Sequence, residues 1–365
     1  MIRMNDFAGE PEALIQAQLR ATEQVIRSGW YILGTAVEQF EKQWAERCGA
    51  AHAVGVGNGL DAIEIGLRSL GLEPGDEVIT TPMTAFATIL GILRSGATPV
   101  LADIDPANAL LDVRSVERCI STRTKAVLLV HLYGQMPRMD AWSALCRARG
   151  LTLVEDCAQA HAARVGGRVA GTTGAWGAYS FYPTKNLGAI GDAGALVTND
   201  PAIAATARML RNYGQENRYQ HARLGMNSRL DELQAAILSA RLAWLDGFIE
   251  RRRAIAARYR AAITNPALRH LALPVEAGAH IYHLFVLLCD ERDRLSAYLK
   301  GRGIESLIHY PIPAHLQAPC NGLRRDPEGL AHSEKHANTC LSIPCHPQMS
   351  GADVEAVIEA LNAFR

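Results

Sequence analysis

Between residues 51 and 154 short apolar runs alternate with amphipathic stretches, and that alternation leaves the chain very few architectures. AHAVGVGNGLDAIEIGLRSLG (51–71) reads as a strand, a glycine turn and a helix. Strands follow at Glu77–Thr80, Pro99–Asp103, Ala126–His131 and Leu151–Val154, with helices at Ala85–Ser95, Val113–Ile120 and Asp140–Arg149 between them. Strands joined by helices at this spacing form parallel β-α units, so the expected class is α/β with a largely parallel sheet.

The Leu151–Val154 strand breaks into Glu155-Asp156 at its C-terminal end, the edge at which open α/β sheets bind ligands. Downstream, SFYPTKNLGAIGDAGALVTND (180–200) sets Lys185 between two β-type runs, Ala178–Tyr182 and Gly194–Thr198. Pro183, Gly188, Gly191 and Gly194 disfavour a helix there, so Lys185 sits on a constrained turn. Partial desolvation on such a turn lowers a lysine pKa, and the free amine is the form that attacks a carbonyl to make a Schiff base. A strand-end carboxylate followed by a turn lysine suits pyridoxal phosphate. The lysine holds the aldehyde, and the aspartate keeps the pyridinium nitrogen protonated. On these two segments alone a plainer reading stands beside it, with Asp156 capping a helix and Lys185 exposed.

Gly57, Asn58 and Gly59 occupy the turn between the strand and the helix of the 51–71 stretch. Backbone N–H groups at a helix start form an anion site, and glycine lets a phosphate approach closely. The pattern is neither G-x-G-x-x-G nor a Walker loop, and many such turns carry glycine without a ligand. Charge narrows the partners: Lys+Arg and Asp+Glu both number 37, whereas nucleic-acid binding calls for a basic excess. No apolar run nears the ~20 residues of a membrane span, and MIRMNDFAGEPEAL has no signal-peptide core. Cys48, Cys119, Cys146, Cys157, Cys289, Cys320, Cys340 and Cys345 form no CxxC pair, which suits a reduced, cytoplasmic setting. Cys340, Cys345 and His346 lack regular ligand spacing, so no metal site is expected.

Pro11–Ser28 and Val37–Arg47 read as helices around the aromatic turn GWYILG (29–34). There Tyr31 is either a substrate contact or a packed loop aromatic. The longest helical pattern is 227–263, with Asp231 and Gln234 spaced as a capping box and Leu233, Ile237, Leu238, Leu242 and Leu245 as an apolar stripe. The basic run Arg251–Arg253 is expected to face solvent. This helix is the natural hinge between a large domain, 1–245, and a smaller one, 246–365. The smaller domain holds a strand at 280–288, helices at 292–301 and 354–362, and the Pro-interrupted loop HYPIPAH (309–315), whose His309, Tyr310 and His315 are placed to reach a polar ligand.

From GWYILG to the C-terminal helix the chain resembles the DegT/StrS-type sugar aminotransferases. The resemblance is carried by HAVGVGNGLDA, GDEVIT, GATPVLADID, VHLYGQ, VEDCAQAHAA, YSFYPTKNLGAIGDAGALVTND, MLRNYGQ, MNSRLDELQAA and HYPIPAH. It implies the pyridoxal-phosphate transferase fold of type I, with a seven-stranded, mostly parallel sheet in the large domain and an α+β small domain. It implies an aminotransferase that moves an amino group, from glutamate, to a nucleotide-linked keto sugar through pyridoxamine phosphate, the 3-keto position being favoured by VHLYGQ and SFYPTKNLG. Related chains act on 4-keto sugars or cyclitols. Others dehydrate sugars with His at the lysine position, and an idle regulatory homologue on this fold is the third reading.

By the same resemblance Lys185 is the cofactor-holding lysine and acid/base, Asp156 the partner of the ring nitrogen, and Gln159 the partner of the ring hydroxyl. Gly59, Leu60 and Ser180 form the phosphate cup. Asn227 reaches the phosphate from the other subunit of a homodimer, and Tyr31, His309, Tyr310 and the 212–221 loop form the nucleotide-sugar surface. Three positions depart from the pattern. Leu60 replaces a common Ser or Thr, Ala85 stands where many members carry a ring-stacking aromatic with Phe86 beside it, and Cys157 replaces a common Ala.

Overall fold

Thr124–Val130 is apolar almost throughout, and its place in the structure explains why. In the computed structural model, which describes residues 1–365, this strand lies inside a seven-stranded sheet. Val127 and Leu129 face one apolar cluster, and Ala126 and Leu128 face a second on the other side. A strand covered on both faces has no polar face to alternate with.

The sheet comprises β1 (His52–Val56), β2 (Glu77–Thr80), β3 (Thr98–Leu101), β4 (Thr124–Val130), β5 (Thr152–Asp156), β6 (Gly177–Ser180) and β7 (Gly194–Thr198). Its order is β1-β7-β6-β5-β4-β2-β3. Strand β7 runs antiparallel to both its neighbours, and the remaining pairs are parallel. The class and the mostly parallel sheet are as the alternation indicated.

Helices α1 (Glu12–Ser28), α2 (Thr35–Cys48), α3 (Gly59–Ser69), α4 (Phe86–Arg94), α5 (Val113–Cys119), α6 (Met139–Arg149) and α7 (Pro201–Leu210) accompany the sheet. Helix α7 is absent from the sequence reading although its start is well marked. Asp200 accepts the N–H groups of Ala202 and Ile203, and Pro201 fills the first helical position.

The expected 227–263 helix is two helices, α8 (Glu232–Leu242) and α9 (Leu245–Ala262), with a step at Ala243–Trp244. There the Trp244 N–H bonds Arg241 O, three residues back. Residues 227–231 are not helical, because Asn227 and Asp231 form backbone bridges to Asn212 and Ile32. The expected capping box does not form. Asp231 makes no side-chain cap, and the Gln234 side-chain oxygen instead accepts the Ile190 N–H at 3.1 Å. Nor does the basic run face solvent throughout: Arg252 is buried.

The rest of the chain forms a second, antiparallel sheet of β8 (Arg269–His270), β9 (Phe285–Leu288) and β10 (Cys340–Ile343). The expected strand at 280–288 is thus only its last four residues. Ile255 and Tyr259 of α9 pack on this sheet together with α10 (Arg292–Gly301) and α12 (Gly351–Ala363), through Leu295, Leu299, Val357 and Leu361. The first residues of the chain join this second unit: Ile2 bonds Gly303 and Glu305 through its backbone and packs on the same cluster. The segment before α11 (Ala331–Thr339) covers the β3 edge, where Leu101 exchanges backbone bonds with Arg324 and Asp326. All eight cysteines are buried free thiols, and no helix is long and apolar enough to cross a membrane.

Glu232 fastens α8 to the start of α2. Its buried carboxylate accepts the N–H groups of Gly34 at 2.8 Å, Ala36 at 2.8 Å and Val37 at 2.9 Å. These are donors the helix itself cannot satisfy. Glu232→Ala is expected to lower unfolding free energy by about 3 kcal/mol, and Glu232→Gln by about half that, since bonds to a charged group contribute about 1.5–3 kcal/mol each and are only partly additive. Urea denaturation measures both.

Candidate active site

Strand β5 ends in two carboxylates that point opposite ways, as neighbours on a strand must. Glu155 points into the fold. His131 Nε2 lies 2.8 Å from its Oε2, and the N–H groups of Gly171, Thr173 and Gly174 bond it at 2.8, 2.9 and 2.7 Å. Burial alone would push this carboxyl up, but the His131 bond and the backbone donors outweigh it and hold the group below the usual carboxylate range. His131, Glu155 and Cys157 lie close enough to suggest a metal, yet the glutamate is fully engaged by the protein, and the three are buried.

Asp156 points to the C-terminal edge of the sheet. Its Oδ1 accepts the Ala158 N–H at 3.1 Å, and its Oδ2 accepts the Thr88 hydroxyl at 2.7 Å. Thr84 Oγ1 is 2.7 Å from Thr88 Oγ1. A hydroxyl has one proton, so Thr88 donates to Asp156 and accepts from Thr84. The two threonines, four residues apart across the start of α4, are a signal the sequence carries and the sequence analysis passes over.

Lys185 stands on the turn after β6. The turn is closed by bonds from the Lys185 N–H to Tyr182 O and from the Ala189 N–H to Phe181 O. Gly188 allows it, because a Cβ there would lie 2.3 Å from Pro183 O. The lysine keeps some open surface but is otherwise enclosed, and burial lowers its pKa to about 8, with the Asp156 carboxylate opposing the shift. Three buried histidines from distant segments feel its charge. His161 is stacked between Tyr179 and Phe181 and pushed down to about 3 by burial and by Lys185. His283, whose Nδ1 is 3.0 Å from Asn186 Oδ1, is lowered well below its usual value by the same two causes. His309 is lowered to about 4 by burial and Lys185. All three are therefore neutral at pH 7.

Gln159 lies buried beside this group. Its Oε1 accepts the Tyr133 N–H at 2.6 Å, which fixes the amide so that Nε2 faces the Tyr310 hydroxyl at 3.1 Å. Burial and the nearby Asp156 push the Tyr310 phenol up to about 12. The Tyr133 hydroxyl in turn donates to His309 O, so the 309–310 segment is fastened to the sheet edge.

The 57–60 turn lies at the same edge, since Val56 and Ser180 both pair with Gly194. Asn58 Oδ1 caps the Asp61 N–H at 2.9 Å, and the Ala62 N–H bonds Asn58 O. The N–H groups of Gly59 and Leu60 are thus the ones without an intrahelical acceptor. A Cβ on Gly59 would lie 2.6 Å from Ser180 Cβ, and one on Gly194 would lie 2.4 Å from Asn58 O. Three segments therefore meet without room for side chains, and the result is a cradle of backbone donors and the Ser180 hydroxyl that fits a phosphate.

The structure thus brings together Lys185, Asp156, Gln159, His309 and Tyr310, and sets Gly59, Leu60 and Ser180 at one cradle. No hydrogen bond joins Tyr31 or Asn227 to either group, and both residues are exposed. Phe86 packs with Ile89, Leu101 and Ala314 in an apolar cluster of its own.

Comparison with known proteins agrees with this geometry. Residues 12–362 match the DegT/DnrJ/EryC1/StrS aminotransferase family. The chain is 45% identical over 347 residues to a dTDP-3-amino-3,4,6-trideoxy-alpha-D-glucose transaminase of Streptomyces venezuelae, covering 94% of this chain and 91% of that one. It is 41% identical over 365 residues to a protein of Geobacillus stearothermophilus named as a pleiotropic regulatory protein, covering 100% and 98%. The crystal structure of S. venezuelae DesV in complex with a ketimine intermediate superposes with a TM-score of 0.93 at 43% identity, over 96% of this chain and 95% of that one. The lysine, the carboxylate and the phosphate cradle thus sit in a chain that belongs to the DegT/DnrJ/EryC1/StrS aminotransferase family, and it is an aminotransferase whose cofactor is pyridoxal phosphate.

Proposed function

We propose that this enzyme moves an amino group from glutamate to a nucleotide-linked keto sugar, with the 3-keto position favoured. The observation that carries the proposal is a lysine amine with its pKa lowered to about 8, set with the oriented Asp156 and Gln159 at the edge that holds the phosphate cradle. Nucleotide-sugar relatives such as the dTDP-sugar transaminase support the sugar as acceptor.

In this reading Lys185 Nζ would hold the cofactor aldehyde and would take up and return the proton during amine transfer. Asp156, aligned by Thr88 and the Ala158 N–H, would pair with the ring nitrogen, and Gln159 with the ring hydroxyl. The N–H groups of Gly59 and Leu60 and the Ser180 hydroxyl would hold the phosphate. The cofactor, when bound, supplies the electron sink that a side chain cannot. Asn227 reaches the phosphate of a partner subunit, so the working unit is a homodimer with shared sites, a role its exposure within one chain suits. Tyr31, His309 and Tyr310 contact the sugar nucleotide. We place the division into domains at 245/246, where α9 begins, and the enzyme in the cytoplasm, which its eight free thiols suit.

The full-length likeness to a protein named for regulation favours one rival, a chain that keeps the fold and performs no transfer. A visible spectrum decides between them. We expect the purified protein to show a long-wavelength band of lysine-bound cofactor that glutamate converts to a shorter-wavelength one, and Lys185→Ala to lose both the band and turnover. A protein without the band after added pyridoxal phosphate is the idle form.

Two further outcomes follow from the geometry. Gly59→Ala is expected to weaken cofactor binding by at least about tenfold, because the new Cβ displaces Ser180 and narrows the phosphate cradle; an absorbance titration reads this. Lowering the Lys185 pKa from its ordinary 10.5 to about 8 means that the unfolded chain binds the extra proton between those values. The cofactor-free protein is therefore destabilised in full below pH 8, by at most about 3.5 kcal/mol at about 1.4 kcal/mol per unit. Lys185→Met should raise its melting temperature at pH 7, with the gain fading as pH rises from 8 to 10.5.

A further inference from the structure

Tyr133 stands where a bulky side chain is disfavoured. It occupies the turn after β4 with a φ of 62°, in the left-handed region that glycine enters freely and a large residue does not. What the side chain gains there is a reach into the second unit. Its hydroxyl, fully buried, lies 2.5 Å from His309 O and 2.8 Å from His336 Nε2. A carbonyl only accepts, so the single phenolic proton goes to His309 O. His336 must then carry its proton on Nε2 and donate it to the phenol oxygen. Burial lowers His336 to about 4, so it does this as a neutral imidazole. Its place is set from the first unit, where Asp103, just beyond β3, caps α11 by accepting the N–H groups of His332 at 2.9 Å and Ser333 at 2.8 Å.

The same residue holds the cofactor side. The Tyr133 N–H donates to Gln159 Oε1 at 2.6 Å, and Gln159 Nε2 reaches the Tyr310 hydroxyl at 3.1 Å. These bonds close a ring in which the backbone of Tyr133 holds Gln159 and its side chain holds the 309–310 segment. The two roles are separable, because removing the hydroxyl leaves the N–H in place. The far end of the 309–315 loop has its own anchor, the Ala314 N–H on Pro82 O at 2.9 Å. Loss of the hydroxyl therefore frees one end of the loop and not the whole of it.

We infer that the Tyr133 hydroxyl, aimed by His336, is a positioning group for the sugar half of the reaction. It sets His309 and Tyr310, which belong to the sugar-nucleotide surface in the function proposed above. The inference rests on that reading and adds to it two residues that act through others. Without the hydroxyl, a carbonyl loses its donor and a buried N–H loses its acceptor. The disturbance falls on the sugar side of the site, while the amide that faces the cofactor keeps its bond.

The holoenzyme is titrated separately with glutamate and with dTDP- and UDP-linked 3-amino and 4-amino sugars, which run the sugar half in reverse, and the cofactor band is followed in each case. Tyr133→Phe is expected to raise the amino-sugar concentration for half-conversion by about tenfold, and that for glutamate by less than about twofold, as orphaning buried polar groups on one side of the site does. Hydrogen exchange in the 307–316 peptide should quicken while that of 151–163 stays as it was. His336→Leu should cost the sugar about threefold, since the Tyr133 bond to His309 O remains. His336→Gln, whose amide N–H takes the place of Nε2–H, should restore most of that loss. The double variant should be no worse than Tyr133→Phe alone, because the imidazole works through the phenol. A folded Tyr133→Phe that shifts both amine donors alike, within about threefold of each other, overturns the assignment, and so does one that shifts neither. Should Tyr133→Phe fail to fold, His336→Leu decides, and a ratio of sugar to glutamate equal to that of His336→Gln overturns the assignment. An unaltered enzyme whose band answers glutamate and none of these sugars defeats the sugar reading itself, a failure seen before any variant is made.

Discussion

The end of β5 depends on one buried carboxylate. Glu155 is completely withdrawn from water and held by an imidazole and three backbone N–H groups. Removing any of these partners would leave charge in a low-dielectric interior, so the side chain has one position open to it. Because successive residues of a strand face opposite sides, locking Glu155 inward compels Asp156 to face the cleft. The donors from Gly171, Thr173 and Gly174 also tie the loop after β5 to the strand, and that loop leads into β6, Ser180 and Lys185. Cofactor geometry therefore traces back to a group that touches no ligand.

A second constraint is steric. Gly59, Gly194 and Ser180 meet so closely that a methyl group on either glycine would overlap its neighbour. This contact sets the start of α3 against β6 and β7 and aims its free N–H groups at one point. Electrostatics then completes the site. Burial holds three imidazoles neutral, disfavours the charge of the Lys185 amine that acts on them, and leaves Asp156 to oppose that last effect.

Much of this was legible in the sequence, and the failures have a common cause. The strand that breaks at Glu155-Asp156, the turn with Lys185 and the glycine turn are local patterns, and local patterns survive reading one residue at a time. The three neutral histidines are not, since His161, His283 and His309 belong to separate segments that only the fold buries within reach of the Lys185 charge. Arg252 is similar: a basic triplet on a helix reads as solvated charge, whereas here three carbonyls of the second unit draw the middle arginine inward. The helix break at Ala243–Trp244 carries no proline or glycine to announce it. The supposed capping box failed because Gln234 has a better acceptor role at Ile190, a partner far away in sequence. Helix α7 is the local exception, announced by Asp200 and Pro201 at its start.

The path of the first few residues has a mechanical consequence. Ile2 is joined by its backbone to the second unit, whereas α1 packs on α8 in the first. The polypeptide therefore crosses between the units twice, once after Met4 and again at the step before α9. A body held to another at a single point swivels freely, but one held at two points turns only about the line that joins them. Rotation about that line is blocked in turn, because the 324–326 segment is bonded along β3 and the 309–310 segment to Tyr133, so the second unit is braced against the sheet edge that carries the site.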